Sequence, residues 1–137
     1  MLVWSDALGE FETNCYIIAC PKTRAAAVVD PGQPDPWILR TLQEHRLKLE
    51  VILLTHAHVD HIGGLEWLRE KSKVPVWMHP DDVPMLQNAQ LNGSAYLTDG
   101  PIVGKAPDRV LKSKESFTLG ELERGSRKPL SRAALRV

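Results

Sequence analysis

The hydrophobic and polar positions of the chain predict three strands at its start, followed by an alternation of helices and strands. Short runs rich in apolar and β-branched residues, bounded by turn-forming residues, are typical of strands. The predicted strands cover residues 1–8, 14–20, 25–30, 50–54, 74–78, 109–112 and 115–119. A β meander followed by strand–helix alternation predicts an α/β fold, in which helices cover a mixed sheet.

The helices of this pattern have recognisable starts. Asp35 and Pro36 are typical of the N-cap and the first position of a helix, and apolar residues at helical spacing follow them. Residues 61–73 are predicted to form a second long helix and residues 80–88 a short one. Residues 89–108 are rich in glycine and proline and are predicted to form a loop, which at that length is usually functional or mobile.

Composition fits one globular domain and gives no electrostatic case for binding nucleic acid. The 137 residues are 43% hydrophobic and 25% charged, with a formal net charge of zero. Residues 1–123 carry a net charge of −5, whereas residues 124–137 carry five arginines and lysines and no acid. This shift predicts a domain over 1–123 and a basic tail over 124–137. A nucleic-acid-binding arm is an alternative interpretation of the tail, although it contains no aromatic residue.

The chain is predicted to be a reduced, cytoplasmic protein. It does not begin with a basic segment followed by an apolar one, so no signal peptide is expected. No apolar run reaches the length of a membrane span. Cys15 and Cys20 lie in one predicted strand, roughly 17 Å apart, which is too far for a disulfide. Both are therefore expected to be buried, reduced side chains.

Four residues of metal-binding type lie within six positions, directly after the apolar strand 50–54. They are His56, His58, Asp60 and His61, within the sequence Thr-His-Ala-His-Val-Asp-His-Ile-Gly-Gly over 55–64, which we call the histidine loop. The loop follows the carboxyl end of a strand, where open α/β sheets place their ligand sites. Imidazole and carboxylate ligands suit zinc, with iron or manganese as alternatives. The two glycines that end the loop allow backbone to pass close to the site.

The spacing within the loop predicts two metal positions. His56 and His58 are two residues apart in extended chain, so their side chains point to the same side and can bind one metal together. Asp60 and His61 follow a bend and can face a second metal nearby. Two close metals lower the pKa of a bridging water and generate hydroxide near neutral pH, which is hydrolytic chemistry without a protein nucleophile.

The histidine loop resembles the signature of the metallo-β-lactamase superfamily. Other segments resemble the family in the same order along the chain. Residues 13–18, Thr-Asn-Cys-Tyr-Ile-Ile, are similar to the N-terminal strand of glyoxalase II-like members, and residues 27–32 and 76–79 are similar to later strands. The resemblance covers roughly residues 2–120, and only the histidine loop is highly specific.

The resemblance implies a fold, a metal centre and a reaction. The family fold is an αββα sandwich, of which this chain would supply the N-terminal half. His56 and His58 would ligate the first of two zinc ions, and Asp60 and His61 the second. Asp60 would also orient the attacking hydroxide. Glyoxalase II-like members hydrolyse thioesters of glutathione, so a small-molecule thioester or ester is the implied substrate.

The resemblance stops before the family's later ligands. The family uses a third histidine for the first metal, a bridging aspartate and a last histidine, and this sequence has no histidine after His79. His45 is expected to be a surface residue in the middle of a helix, whereas His79 ends a predicted strand and could approach the site. The sequence is therefore interpreted as a C-terminally truncated or frameshifted member, whose pattern changes after Gly120.

The sequence is compatible with two functions. The first is metal-dependent hydrolysis of a thioester or ester, similar to that of hydroxyacylglutathione hydrolase, by a metal-bound hydroxide. The second is a non-catalytic metal-binding fragment or pseudoenzyme, because two protein ligands per metal leave a catalytic site incomplete. The sequence leaves open whether the chain is an enzyme, and it names neither the substrate nor the oligomeric state.

Overall fold

The computed structural model describes residues 1–113 and 115–120, which form one six-stranded mixed sheet with helices. The strands are β1 (Leu2–Leu8), β2 (Thr13–Ala19), β3 (Ala25–Val29), β4 (Lys48–Leu54), β5 (Val76–Met78) and β6 (Arg109–Val110), in that spatial order. β1, β2 and β3 are antiparallel neighbours, whereas β3 to β6 run parallel. The carboxyl ends of β3, β4 and β5 therefore meet at one edge of the sheet, where the histidine loop begins.

Six helices connect the strands of the described residues. They are α1 (Pro36–Glu44), α2 (Val59–Ile62), α3 (Leu65–Ser72), α4 (Val83–Leu86), α5 (Ala89–Asn92) and α6 (Ser94–Leu97), with one turn of 3₁₀-helix over Pro80–Asp82. α1 begins as predicted, because the Asp35 side chain accepts a hydrogen bond from the backbone N–H of Trp37 at 2.8 Å. Within the described part of the chain, no helix is long and apolar enough to cross a membrane.

The sheet separates two hydrophobic clusters, as the alternation of side chains along a strand requires. Along β2, Cys15, Ile17 and Ala19 are fully buried in the cluster that includes the helices, while Tyr16 and Ile18 lie in the other cluster. Every residue of β3 is buried, because this strand is covered on both faces. The central strands that carry the candidate site are thus the most completely packed part of the sheet.

The second face of the sheet is covered in part by the chain that follows β6. Leu111 and Leu119 are buried there together with Val51 and Leu53 of β4. Phe117 meets the ring of Trp77 edge-on, with 5.2 Å between the ring centroids. This segment therefore shields part of the apolar face that would otherwise contact solvent. The predicted tail over 124–137 lies outside the described residues, so the domain boundary stays a prediction.

Several predicted elements are wrong. The helix expected over 61–73 is two helices, α2 and α3, separated at the glycine pair of the histidine loop. The region 89–108, predicted as a loop, contains α5 and α6, and the Asn88 side chain caps α5 by accepting from two backbone N–H groups. Residues 115–120 contain no strand, since this segment turns Phe117 and Leu119 onto the sheet face instead of pairing with an edge.

Both cysteines are buried, and neither forms a disulfide, as predicted. Burial, helped by the nearby charge of Asp30, raises the pKa of the Cys15 thiol. Because the thiolate is the reactive form, we expect native Cys15 to react with iodoacetamide at pH 8 at least about 10-fold more slowly than in the urea-unfolded chain. Mass spectrometry of the labelled protein measures this difference. Equal rates in the two states would contradict the buried position of Cys15.

Candidate metal centre

The histidine loop leaves the carboxyl end of β4 and turns directly into α2. Thr55, the first residue after the strand, is buried. His58 is the N-cap of α2 and has extended backbone, with φ −63° and ψ 149°. Asp60 and His61 lie inside α2. The bend that the sequence predicted between the two pairs of candidate ligands is therefore the start of this helix.

The structure brings the four predicted ligands of the loop together. The ring centroids of His56 and His61 are 3.8 Å apart, and those of His56 and His58 are 4.9 Å apart. The Oδ2 atom of Asp60 lies 3.3 Å from Nε2 of His61. His58 is exposed and the other three are half-buried, so the cluster is open to solvent on one side.

The geometry of Asp60 and His61 fits a metal held by a pair of residues. Two ligand atoms that are each about 2.0–2.1 Å from a tetrahedral zinc ion lie roughly 3.3–3.4 Å apart, close to the 3.3 Å between Asp60 Oδ2 and His61 Nε2. Within residues 1–113 and 115–120, no three histidine, cysteine, aspartate or glutamate side chains are placed to hold one ion. The donor types and the pairing thus fit a metal, whereas its ligation stays a prediction.

Asp30, the last residue of the strand predicted over 25–30, contacts this cluster at Thr55 and His61. It directly follows β3 and is 3% exposed. Its carboxylate accepts hydrogen bonds from the backbone N–H of Thr55 at 2.8 Å and from the Thr55 hydroxyl at 2.5 Å. Its Oδ2 atom also lies 2.9 Å from Nδ1 of His61. A carboxylate on Nδ1 fixes the imidazole ring and leaves Nε2, the nitrogen beside Asp60, for a ligand.

Burial and neighbouring charges move the pKa values of two histidines in opposite directions. Burial lowers the pKa of His56, and the charge of neighbouring His61 lowers it further. Burial also opposes protonation of His61, but the hydrogen bond and charge of Asp30, with the charge of Asp60, raise its pKa overall. Because a metal binds the neutral imidazole, the lowered pKa favours the metal-binding form of His56, whereas the raised pKa opposes that form of His61.

Glycines allow the turn after β3 to pack directly on the histidine loop. A Cβ atom on Gly63 would collide with the carbonyl oxygen of Gly32, and one on Gly32 would collide with that of Asp60. The N–H of Gly64 donates to the carbonyl of Pro31 at 2.8 Å. The close approach expected at Gly63 and Gly64 is thus observed, and its partner is the turn that carries Asp30.

The remaining histidines have partners elsewhere. Nε2 of His79 lies 3.2 Å from the Ser113 hydroxyl, and its Nδ1 accepts from the backbone N–H of Asp81 at 3.2 Å. His45 is exposed, as predicted, and its ring lies 4.6 Å from that of Trp4. Its predicted place in the middle of a helix is wrong, because α1 ends at Glu44 and His45 is the C-cap. None of these partners belongs to the histidine loop.

Two curated relatives are similar to the chain over this region. The probable metallo-hydrolase YqgX of Bacillus subtilis (strain 168) is 33% identical over 113 residues, which are 82% of this chain and 53% of that protein. Hydroxyacylglutathione hydrolase GloC of Haemophilus influenzae is 36% identical over 67 residues, which are 49% of this chain and 31% of that protein. The chain therefore spans about half the length of the first relative and about a third of the length of the second.

Two solved structures are also similar to the chain, again over about half of their own length. The BLEG-1 B3 metallo-β-lactamase superimposes with a TM-score of 0.77 and 34% identity, over 87% of this chain and 57% of that one. TTHA1623, crystallised in a di-iron-bound form, superimposes with a TM-score of 0.65 and 31% identity, over 85% and 56% of the two chains. The six-stranded sheet and its helices are therefore about half of an αββα domain, as the sequence predicted.

The family assignment follows from the extent of these matches as well as from the histidine loop. A model of the metallo-β-lactamase superfamily matches residues 8–132, which include β2 to β6 in full and only the last residue of β1, Leu8. The match also includes the turn that carries Asp30 and the whole of the histidine loop. The chain belongs to the metallo-β-lactamase superfamily.

Proposed function

We propose that the chain carries a two-metal centre of a hydrolase, in which His56 and His58 hold the first metal and Asp60 and His61 the second. The observation that carries the proposal is the clustering of these side chains at the carboxyl end of β4, with the ligand atoms of Asp60 and His61 3.3 Å apart. Zinc is the preferred metal for this donor set, with iron or manganese as alternatives. When bound, the metals would activate water and polarise the carbonyl of a substrate.

The protein's own residues would position the reactants. Asp60 would accept a hydrogen bond from the attacking water and so fix its direction, since an ionised carboxylate is purely an acceptor. Asp30 would keep Nε2 of His61 turned toward the second metal through its contact with Nδ1. The exposure of His58 would leave the substrate a path to the centre.

We propose a small-molecule thioester or ester as the substrate. The similarity to the hydroxyacylglutathione hydrolase supports a thioester. A cavity of about 390 Å³ adjoins the histidine loop at Val59 and Gly63 and is also lined by the apolar residues Phe11, Leu97 and Ile102. Among the residues that the structure describes, the charged ones that line it are the acids Glu10 and Asp99, and none is a lysine or arginine. This cavity suits an apolar acyl group better than the anionic glutathione portion.

A cytoplasmic location fits this proposal. Cys15 and Cys20 are both buried without forming a disulfide, as is usual for proteins of a reducing compartment. The formal net charge of zero gives no overall electrostatic case for nucleic acid, and we propose a small molecule as the partner. We keep the predicted division of the chain at residue 123 as part of the same proposal.

Metal content and thioester hydrolysis, measured on the same sample, test the proposal. We expect about two metal ions per chain by elemental mass spectrometry, and turnover of a glutathione thioester that stops when a chelator removes the metal. An oxygen ester with the same acyl group tests whether the acyl portion alone is recognised. The His45→Ala variant is the matched control, because this histidine is exposed and contacts Trp4 instead of the loop. Turnover that persists at full rate after the metal is removed would contradict the proposal.

The second candidate is a metal-binding chain without catalysis. It is favoured by the finding that no three side chains of ligand type are placed around one point in the described residues. A two-ligand site leaves half of a tetrahedral coordination shell to water, whereas catalytic zinc sites have three protein ligands. Substoichiometric metal and no hydrolysis of either substrate would be the result expected of this alternative.

A further inference from the structure

We infer that Thr13 is a positioning residue for Asp60, and hence for the second metal of the proposed function, on which this inference rests. The Thr13 hydroxyl donates a hydrogen bond to Oδ2 of Asp60 at 2.8 Å. The same oxygen lies 3.3 Å from Nε2 of His61. Thr13 is 47 residues from Asp60 in the sequence, so this hydrogen bond connects the start of β2 to the histidine loop.

The position of the Thr13 hydroxyl is set by parts of the fold other than the loop. Thr13 is the first residue of β2 and pairs with Leu8 of β1. The residue before it, Glu12, has left-handed backbone with φ 49° and donates its N–H to the carbonyl of Gly9 at 3.1 Å. The turn at Gly32 packs close by, since a Cβ on Gly32 would lie 3.8 Å from that of Thr13. The hairpin and this turn therefore fix the position of the Thr13 hydroxyl independently of any bound metal.

The hydrogen bond from Thr13 restricts the orientation of the Asp60 carboxylate. The terminal torsion of an aspartate is broad, so its two oxygens can rotate freely unless a hydrogen bond selects one orientation. The threonine hydroxyl has one proton to donate, and here Asp60 receives it. Asp60 is thus oriented by Thr13 of β2, while His61 is oriented by Asp30 after β3. Residues outside the loop therefore orient both proposed ligands of the second metal, and they do so already in the metal-free chain.

Two substitutions separate positioning from packing. Thr13→Val keeps the branched shape of the side chain and removes the hydroxyl, whereas Thr13→Ser keeps the hydroxyl and removes a methyl group. We expect Thr13→Val to weaken binding of the second Zn²⁺ equivalent by about 10-fold or more, as is usual when a partner of a metal ligand is lost. The first equivalent should keep its affinity, and Thr13→Ser should bind both equivalents as the unchanged chain does.

The experiment is a calorimetric titration of the full 137-residue chain, freed of metal by a chelator, with Zn²⁺ alone. The visible absorption of bound Co²⁺ then reports whether the ligand geometry of the second equivalent has changed. Thermal unfolding of the metal-free variants gives a separate measure of packing. Loss confined to the second equivalent in Thr13→Val, restored in Thr13→Ser, supports the inference.

The Asp60→Ala variant distinguishes the failure of this inference from failure of the proposed function. If Asp60→Ala loses the second equivalent and Thr13→Val keeps it, the positioning role is wrong and the metal centre stands. A parallel loss in Thr13→Ser and Thr13→Val, with a lower melting temperature of both, would reduce Thr13 to a packing residue. A second equivalent that is absent from the unchanged chain, or unaffected by Asp60→Ala, would overturn the inference together with the assignment of Asp60.

Discussion

Replacing His58 by alanine is expected to abolish tight metal binding at the first position and, with it, hydrolysis. Only His56 of the described loop would then remain to hold that metal. Since loss of a residue that merely supports a ligand commonly lowers metal affinity by about 10- to 100-fold, loss of the ligand itself should cost at least about 100-fold. Competition with a fluorescent zinc chelator measures the change in affinity directly.

The fold should tolerate this substitution, which makes the result interpretable. His58 is exposed, and although it is the N-cap of α2, its side chain makes no capping hydrogen bond. Alanine therefore removes little buried surface and no capping hydrogen bond, and the melting temperature of the metal-free chain should hardly change. The His45→Ala variant again serves as the control and should keep the full metal affinity. Unchanged affinity in His58→Ala would refute the assignment of the loop as the metal site.

The local sequence was sufficient to predict the parts of the site that lie within one segment. The all-apolar strand before the histidine loop is β4, and the four candidate ligands do cluster where that strand ends. The predicted N-cap at Asp35 is also confirmed. These features depend on residues a few positions apart, where residue type and spacing carry the information.

The residues that support the cluster could not be predicted in the same way. Asp30 contacts Thr55 and His61 across 25 and 31 residues, and Thr13 contacts Asp60 across 47. Their roles depend on which strands are neighbours, and no local pattern reports that. One signal was available for Asp30, which is an ionisable residue directly after a wholly apolar strand. The parallel pairing of β3 with β4 then brings it to the same edge of the sheet as the loop.

The helix predicted over 61–73 is interrupted at the same place where the packing requires glycine, at Gly63 and Gly64. The helical pattern over 61–73 continues through Gly63 and Gly64, but the backbone departs from one continuous helix there. There the N–H of Gly64 donates to the carbonyl of Pro31 in the turn after β3, and Gly32 and Gln33 of that turn lie where side chains at Gly63 and Gly64 would be. The interruption is therefore a consequence of tertiary packing, which overrides local helix propensity.

Replacing Gly63 by alanine is expected to lower the free energy of unfolding by about 3 kcal/mol, the upper part of the usual range for overpacking. Gly63 has ordinary helical backbone, with φ −58° and ψ −29°, so its conformation does not require glycine. In open space alanine would instead stabilise a helical position by about 0.5–1 kcal/mol. A loss of stability in Gly63→Ala would therefore indicate that the new Cβ collides with the carbonyl oxygen of Gly32. That oxygen is a backbone atom and cannot rotate away.

Gly100→Ala is the matched control, because a Cβ at Gly100 would have no described residue within 4 Å and its backbone is not left-handed. Its unfolding free energy should change by no more than about 0.5 kcal/mol. Urea unfolding compares the two variants, provided that the dependence on urea concentration is the same. Gly63→Ala should also loosen the contact between Asp30 and His61, because the displaced turn carries Asp30, and metal affinity should fall with stability. A Gly63→Ala chain as stable as the unchanged one would show that the turn after β3 is not packed against the histidine loop, and with that the anchoring of His61 would lose its structural basis.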